Sequence, residues 1–164
     1  RARRHRAAPD HGPDVRSVTG LDPSLELQRY ARRRAREAGR SVEFLGLSGE
    51  SIPVEDARFD TVVSTWTLCS IPNPYQALAE MRRVLRPGGR LVFVEHGRAP
   101  QAHVRRWQRR IQPLWKALSG GCHLDRDVPH MLATAGFRVG AVEQGYVPGP
   151  RFATFMFRGV AGRR

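Results

Sequence analysis

The sequence predicts an α/β domain with a doubly wound, mostly parallel sheet and a C-terminal antiparallel hairpin. Three observations predict it. Two short valine-rich runs, 61–64 and 91–94, are bounded by turn signals, as buried strands are. Between them Ala77, Leu78, Met81, Val84 and Leu85 recur at helical spacing. A strand, a helix and a strand this close together form a βαβ unit, whose strands run parallel and are covered on both faces.

At the start of the chain, residues 1–14, RARRHRAAPDHGPD, show no apolar periodicity and read as a disordered basic N-terminus. Residues 15–22 read as a strand that ends in an acid, Asp22, with Pro23 next to it. Asp22 or Ser24 caps a helix over 25–38, in which Leu27, Tyr30, Ala31, Arg34, Ala35 and Ala38 keep the period and Gly39 ends it. Residues 42–47 make the next strand, and Ser48-Gly49-Glu50 turn away from it toward Ile52-Pro53.

Thr65 and Trp66 lie at the carboxyl end of the 61–64 strand, where open α/β sheets place their ligands. Asn73 suits an N-cap and Pro74 the first helical position, and Pro87-Gly88-Gly89 stop that helix. After Glu95-His96, the stretch 98–121 is longer than a simple connection. In it Val104, Trp107, Ile111, Leu114, Trp115 and Leu118 form one apolar stripe, with arginines around it and Pro113 inside. A lid or substrate wall, a plain helix packed on the sheet and a helix lying on a membrane through 103–118 all fit such a stripe.

Gly120-Gly121-Cys122-His123-Leu124 closes that stretch. His96 is a candidate to approach a substrate from its strand end. Cys122 beside His123 does not suggest a nucleophile and base, because chain neighbours seldom face each other, and no metal-ligand spacing is apparent. Asp125 or Asp127 caps a last helix through Val128, Met131, Leu132 and Ala135, stopped by Gly136. Residues 137–146 and 151–157 then make two strands about a Pro148-Gly149-Pro150 turn.

Composition narrows the class. With 164 residues and 40% apolar side chains the chain has enough for one domain, 15–164, and a real core. No apolar run approaches the roughly 18 residues of a membrane span. Two cysteines, Cys69 and Cys122, do not form a disulfide framework and point to a reducing, cytoplasmic compartment. The net charge of +13 is carried by arginine, with Lys116 the one lysine. Such a surface favours nucleic acid or anionic lipid in general, although charge runs are most often solvated faces.

The ordered series Phe59-Asp60, valine-rich strand, helix, Leu85-Arg86-Pro87-Gly88-Gly89 and second strand resembles a class I S-adenosylmethionine-dependent methyltransferase. Leu68-Cys69-Ser70, Glu95-His96 and Gly120-Gly121-Cys122-His123-Leu124 resemble the "type 11" small-molecule, thiol and lipid methylases within that class. The resemblance covers about residues 18–157. It implies a Rossmann-like methyltransferase fold, S-adenosylmethionine as cofactor, and methyl transfer to a small-molecule, thiol or lipid acceptor. It places Asp22, with Pro23 beside it, on the ribose hydroxyls. Ser48, Gly49 and Glu50 border the adenine, and Thr65 contacts the cofactor. Trp66, His96, Trp107, Cys122 and His123 become substrate-side candidates, and no catalytic residue is assigned.

One part of the family pattern is not present. The first strand and its glycine-rich turn, which let backbone approach the cofactor, are missing or degenerate in 1–14. The expectation is an N-terminally truncated or altered chain that binds its cofactor weakly or not at all. Arg3-Arg4-His5-Arg6, if coded CGG-CGG-CAC-CGG, would read Gly-Gly-Thr-Gly one base later. The alternative function is a non-catalytic remnant that binds nucleic acid or an anionic membrane through its arginine-rich face. Pro72-Asn73-Pro74-Tyr75 falls too far after its strand to match the nucleic-acid amino-methyltransferases, which weighs against nucleic acid as a partner.

Overall fold

The computed structural model describes residues 15–163. The expected basic N-terminus and the missing glycine turn fall in 1–14, outside the described residues. The chain divides into two compact units, residues 1–48 and 49–164.

The first unit holds β1 (Val18–Leu21), α1 (Leu25–Glu37) and β2 (Val42–Leu45). The two strands pair in parallel, with Val18 opposite Val42 and Leu21 opposite Leu45. Both are shorter than the stretches 15–22 and 42–47 that the sequence suggests. Ser24 is the N-cap of α1: its Oγ accepts the Leu27 N–H at 3.3 Å. Gly39, at φ +66°, comes after the helix end in the left-handed region that glycine tolerates. The apolar period of α1 does not mark a buried face. Leu27 and Tyr30 are more than half exposed, whereas Gln28 and Ala35 are buried. Gln28 is fixed by a hydrogen bond, its Nε2 donating to the Asp22 carbonyl at 2.7 Å.

The second unit holds β3 (Phe59–Thr65), α2 (Pro74–Val84), β4 (Leu85–His96), α3 (Ala102–Leu118), α4 (Val128–Thr134), β5 (Phe137–Tyr146) and β6 (Phe155–Arg163). Its sheet runs β3-β4-β6-β5. β3 and β4 are parallel, with Val62 opposite Leu91 and Thr65 opposite Val94. β6 runs antiparallel to both β4 and β5, which gives the closing hairpin. Asn73 caps α2 by accepting the Gln76 N–H at 3.2 Å. The helix buries Ala77, Leu78, Met81 and Val84. With Leu68, Leu85, Leu91, Phe93, Leu132 and Phe137 these make the core.

Three sequence expectations change in this unit. Leu85 leaves α2 for β4 and pairs with Phe59, so Pro87-Gly88-Gly89 form an irregularity inside a strand rather than a helix stop and loop. Gly88 allows it at φ +77°. β6 lies at 155–163 rather than 151–157. Its later half, Gly159 to Gly162, looks like tail in the sequence, yet small residues are what fit there. A Cβ at Gly159 would lie 3.1 Å from the Phe93 ring. The stripe of α3 also shifts: Val104 and Gln108 are buried, with Ile111 and Trp115 partly buried below them. Trp107, Leu114 and Leu118 are exposed. Gln108 holds the inner position because its amide is satisfied, accepting the Ala99 N–H and donating to the Gly97 carbonyl, both at 3.1 Å. No helix of the described residues is long and apolar enough to cross a membrane.

Candidate functional site

The parallel strands β3 and β4 end side by side, and one carboxylate shapes the turn that leaves β3. Glu95 is buried near the end of β4. Its Oε1 accepts the Ser64 hydroxyl at 2.8 Å and the Thr67 N–H at 3.1 Å. Its Oε2 accepts the Cys69 N–H at 3.1 Å. Three donors converge on a charge that has left water, which is how a buried carboxylate becomes tolerable. The turn 65–69 is therefore wrapped around Glu95. Trp66 sits in this turn at φ +52°, an uncommon conformation for a side chain of its bulk, and one that gathers at functional sites. Its N–H donates to the Val94 carbonyl at 3.0 Å, and its exposed ring stacks on His96 with centroids 6.0 Å apart.

Next to this turn the structure assembles a group that spacing along the chain does not show. His96 Nδ1 lies 3.7 Å from Cys122 Sγ and 4.0 Å from Cys69 Sγ. The three atoms are all within 4.8 Å of one another. Cys122 thus faces His96 and not its neighbour His123. Gly121, at φ +91°, makes the turn that delivers it. Both cysteines are free and buried. The hydrogen bond between the two thiols divides their acidity. It is the largest cause that brings Cys122 down to about 7, against the opposing effect of burial. The same bond, with burial, holds Cys69 well above the usual thiol value. Of the pair, Cys122 is the more acidic thiol.

His123 has a different task. Its N–H donates to the Cys69 carbonyl at 2.6 Å, and its Nδ1 lies 3.3 Å from that oxygen. Burial, and after it the charge of Arg126, keeps its ring below the usual imidazole pKa. Arg126 donates to the carbonyls of Leu68 and Ile71, so this side of the turn is also held. Gln112 completes the frame, its Nε2 donating to the Cys122 carbonyl at 3.0 Å.

Each of the remaining residues that the sequence singles out has its own local surroundings. Thr65 is exposed at the end of β3, its carbonyl accepting the Thr67 hydroxyl at 3.2 Å. Glu50 turns its carboxylate to the Asn73 N–H at 2.5 Å, so it ties its turn to the start of α2. Gly49 beside it is buried. Segment 52–56 is strapped to the same helix by Arg83, which bonds the carbonyls of Ile52 and Val54 and the Asp56 carboxylate. In the first unit Asp22 stands just past β1, half-buried, and its Oδ1 accepts the Ser24 N–H at 2.7 Å. Pro23 is exposed and Ser48 half-buried. Trp107 lies exposed on α3, one position before the buried Gln108.

Sequence reasoning missed Cys69 as a partner and Glu95 as an organiser. Cys69 and His96 are 27 positions apart, and His96 and Cys122 a further 26. A signal existed in the βαβ unit itself. It predicts that the ends of the 61–64 and 91–94 strands lie side by side, which brings Leu68-Cys69-Ser70 toward Glu95-His96.

Comparison with known proteins agrees with this architecture. Residues 3–93 match the family described as "Methyltransferase domain". That match includes the stretch in which the glycine turn is not recognisable. The chain is 37% identical over 115 residues to "Thiol S-methyltransferase TMT1B" of Rattus norvegicus, covering 67% of this chain and 47% of that protein. It is 31% identical over 140 residues to "Demethylmenaquinone methyltransferase" of Thermus thermophilus, covering 74% and 64%. The chain thus spans about half the length of the thiol methyltransferase it matches. Among solved structures, a SAM-dependent methyltransferase from Methanosarcina mazei shares the fold, with a TM-score of 0.72 at 24% identity over 90% of this chain and 82% of that one. With more than half of its length matched, the chain belongs to the methyltransferase domain family, which implies S-adenosylmethionine as its cofactor.

Proposed function

We propose that this chain transfers the sulfonium methyl of S-adenosylmethionine to the thiol of a small-molecule acceptor. The likeness to thiol S-methyltransferases over two thirds of the chain carries the reading. The residues present suit the cofactor. Asp22 stands after a parallel strand and uses one carboxylate oxygen at Ser24, which leaves the second for a ribose hydroxyl. Ser48, Gly49 and Glu50 border the adenine in this reading, and Thr65 meets the cofactor from the end of β3. Bound there, the cofactor supplies an activated methyl group. The protein then has to hold the acceptor sulfur in line with that carbon and keep water out, with no general base required by the transfer itself. The turn 65–69, fixed around Glu95, provides a rigid floor. The stretch 98–121 acts as lid or wall over the acceptor, presenting Trp107.

A methyl-transfer assay tests this reading. Radiolabelled S-adenosylmethionine is offered with a small alkyl thiol, a primary amine or a phenol. Label in the thioether alone is the expected outcome. Methylation of the amine or phenol in preference to the thiol contradicts it.

A further inference from the structure

We infer that Cys69, His96 and Cys122 form a binding site for a zinc-class divalent cation, with a fourth position that takes the acceptor thiolate. The second half rests on the thiol-methylation reading; the first half does not.

The donor set is the starting point. Two thiols and one imidazole are the ligand types that zinc prefers, and three protein ligands with an open fourth position mark sites that bind a reactant. The spacing agrees. A tetrahedral ion with bonds of about 2.3 Å to sulfur and about 2.0 Å to nitrogen separates sulfur from nitrogen by roughly 3.6 Å and two sulfurs by roughly 3.8 Å. The observed 3.7 Å and 4.0 Å from His96 Nδ1 are within a few tenths of an ångström of that geometry. Shifts of that size lie within side-chain rotation.

The surroundings hold each donor in place, as supporting residues do around metal ligands. The Cys69 N–H is held by Glu95 and the Cys69 carbonyl by His123. The His96 ring is held against Trp66, and the Cys122 carbonyl by Gln112. One more group points the same way. Among the described residues the buried indole Nε1 of Trp115 has no hydrogen-bond partner, although Trp115 packs against the Cys69 and Cys122 cluster. A cation-bound thiolate sulfur is a far better acceptor than a thiol, and would give this N–H its partner.

In the reaction, the acceptor thiol enters as fourth ligand and loses its proton to solvent. Its sulfur then forms a bond to the methyl carbon while the bond from that carbon to the sulfonium breaks. The electron pair of the broken bond stays on the cofactor sulfur, giving S-adenosylhomocysteine. The thioether product carries no charge, binds zinc weakly and leaves. No redox change occurs.

The test uses the full chain, stripped of metal and kept in a phosphine reductant. Zn2+ alone is titrated against a chromophoric chelator, and Co2+ alone is monitored by absorption. Expected are one ion per chain, and sulfur-to-cobalt charge-transfer bands with the strong visible bands of a tetrahedral ion. Cys69→Ser and Cys122→Ser each weaken Zn2+ binding by more than the roughly 10–100-fold that loss of a supporting residue costs. His103→Ala, at an exposed position on α3, leaves it unchanged. Thermal melts confirm that the variants fold. A folded, reduced chain that takes up no Zn2+ overturns the site. So does a Cys69–Cys122 disulfide that forms in oxidised glutathione equally fast with and without Zn2+. Adding a small alkyl thiol to the Co2+ form should raise the charge-transfer intensity by about one half, as three thiolates replace two. An unchanged spectrum removes the acceptor role and leaves the site standing. A thiol that binds cobalt but is never methylated counts against the functional reading and leaves the metal site intact.

Discussion

Where β3 and β4 end, Leu68, Cys69 and Glu95 are buried, and every polar group named there has a partner. In the β1–α1–β2 unit, the buried side chains among the described residues are Gln28 and Ala35, while Leu25, Leu27, Tyr30 and Leu47 lie exposed. Both regions are strand–turn–helix arrangements, yet they are held differently. The first is fixed by apolar packing and a desolvated carboxylate. The second relies on backbone pairing, a capping serine and the Gln28 hydrogen bond. A parallel two-stranded ribbon with one helix buries too little to be stable by itself. The lesson is that the end of β3 and β4 has its geometry built in, whereas Asp22 sits on a lightly packed frame.

This contrast makes unequal mutational costs. Glu95→Ala has the largest expected effect. It strands the Ser64 hydroxyl and two N–H groups in a dry site, at a cost of about 4 kcal/mol in urea unfolding. A loss under about 1 kcal/mol would break the comparison on its strong side. Next comes a pair of identical substitutions. Leu68→Ala should cost about 3 kcal/mol and Leu27→Ala less than about 0.5 kcal/mol, because Leu68 is inaccessible and Leu27 is 58% exposed. Equal losses would mean that α1 is packed as tightly as the core.

A smaller effect belongs to the strap on α2. Glu80 accepts the Ile52 N–H at 2.8 Å and pairs with Arg83. Arg83 holds the Glu80 carboxyl below its ordinary 4.5. A depressed folded-state pKa contributes stability above the unfolded value, and that contribution is lost as pH falls through the folded one. Glu80→Ala should therefore cost about 2 kcal/mol at pH 7 and progressively less as pH drops from 4.5 downward. A cost independent of pH across that range would place the contribution in packing and not in charge.

Legibility in the sequence tracks the same divide. Elements set by local chemistry are readable: the Asn73 and Asp127 caps, the body of α2, and the start and end of β5. Elements set by what packs against them are not. α3 turns a glutamine inward because Gln108 finds three backbone partners there, which no hydrophobic stripe can show. The small residues of β6 look like a tail until Phe93 is seen beneath Gly159. At the site, Thr65, Trp66 and His96 can be named from their strand ends. The full thiol–imidazole group cannot: the parallel pairing of β3 with β4 brings Cys69 toward His96, but Cys122 arrives only after α3, through the turn at Gly121.

The most direct test of the account is calorimetric titration of this chain with S-adenosylmethionine, beside the Asp22→Ala variant. The account predicts one site per chain. Asp22→Ala should weaken it by about tenfold or more, or about 1.4 kcal/mol, with the second unit still folded. A folded protein that binds no S-adenosylmethionine, or binds it equally well without Asp22, would contradict it.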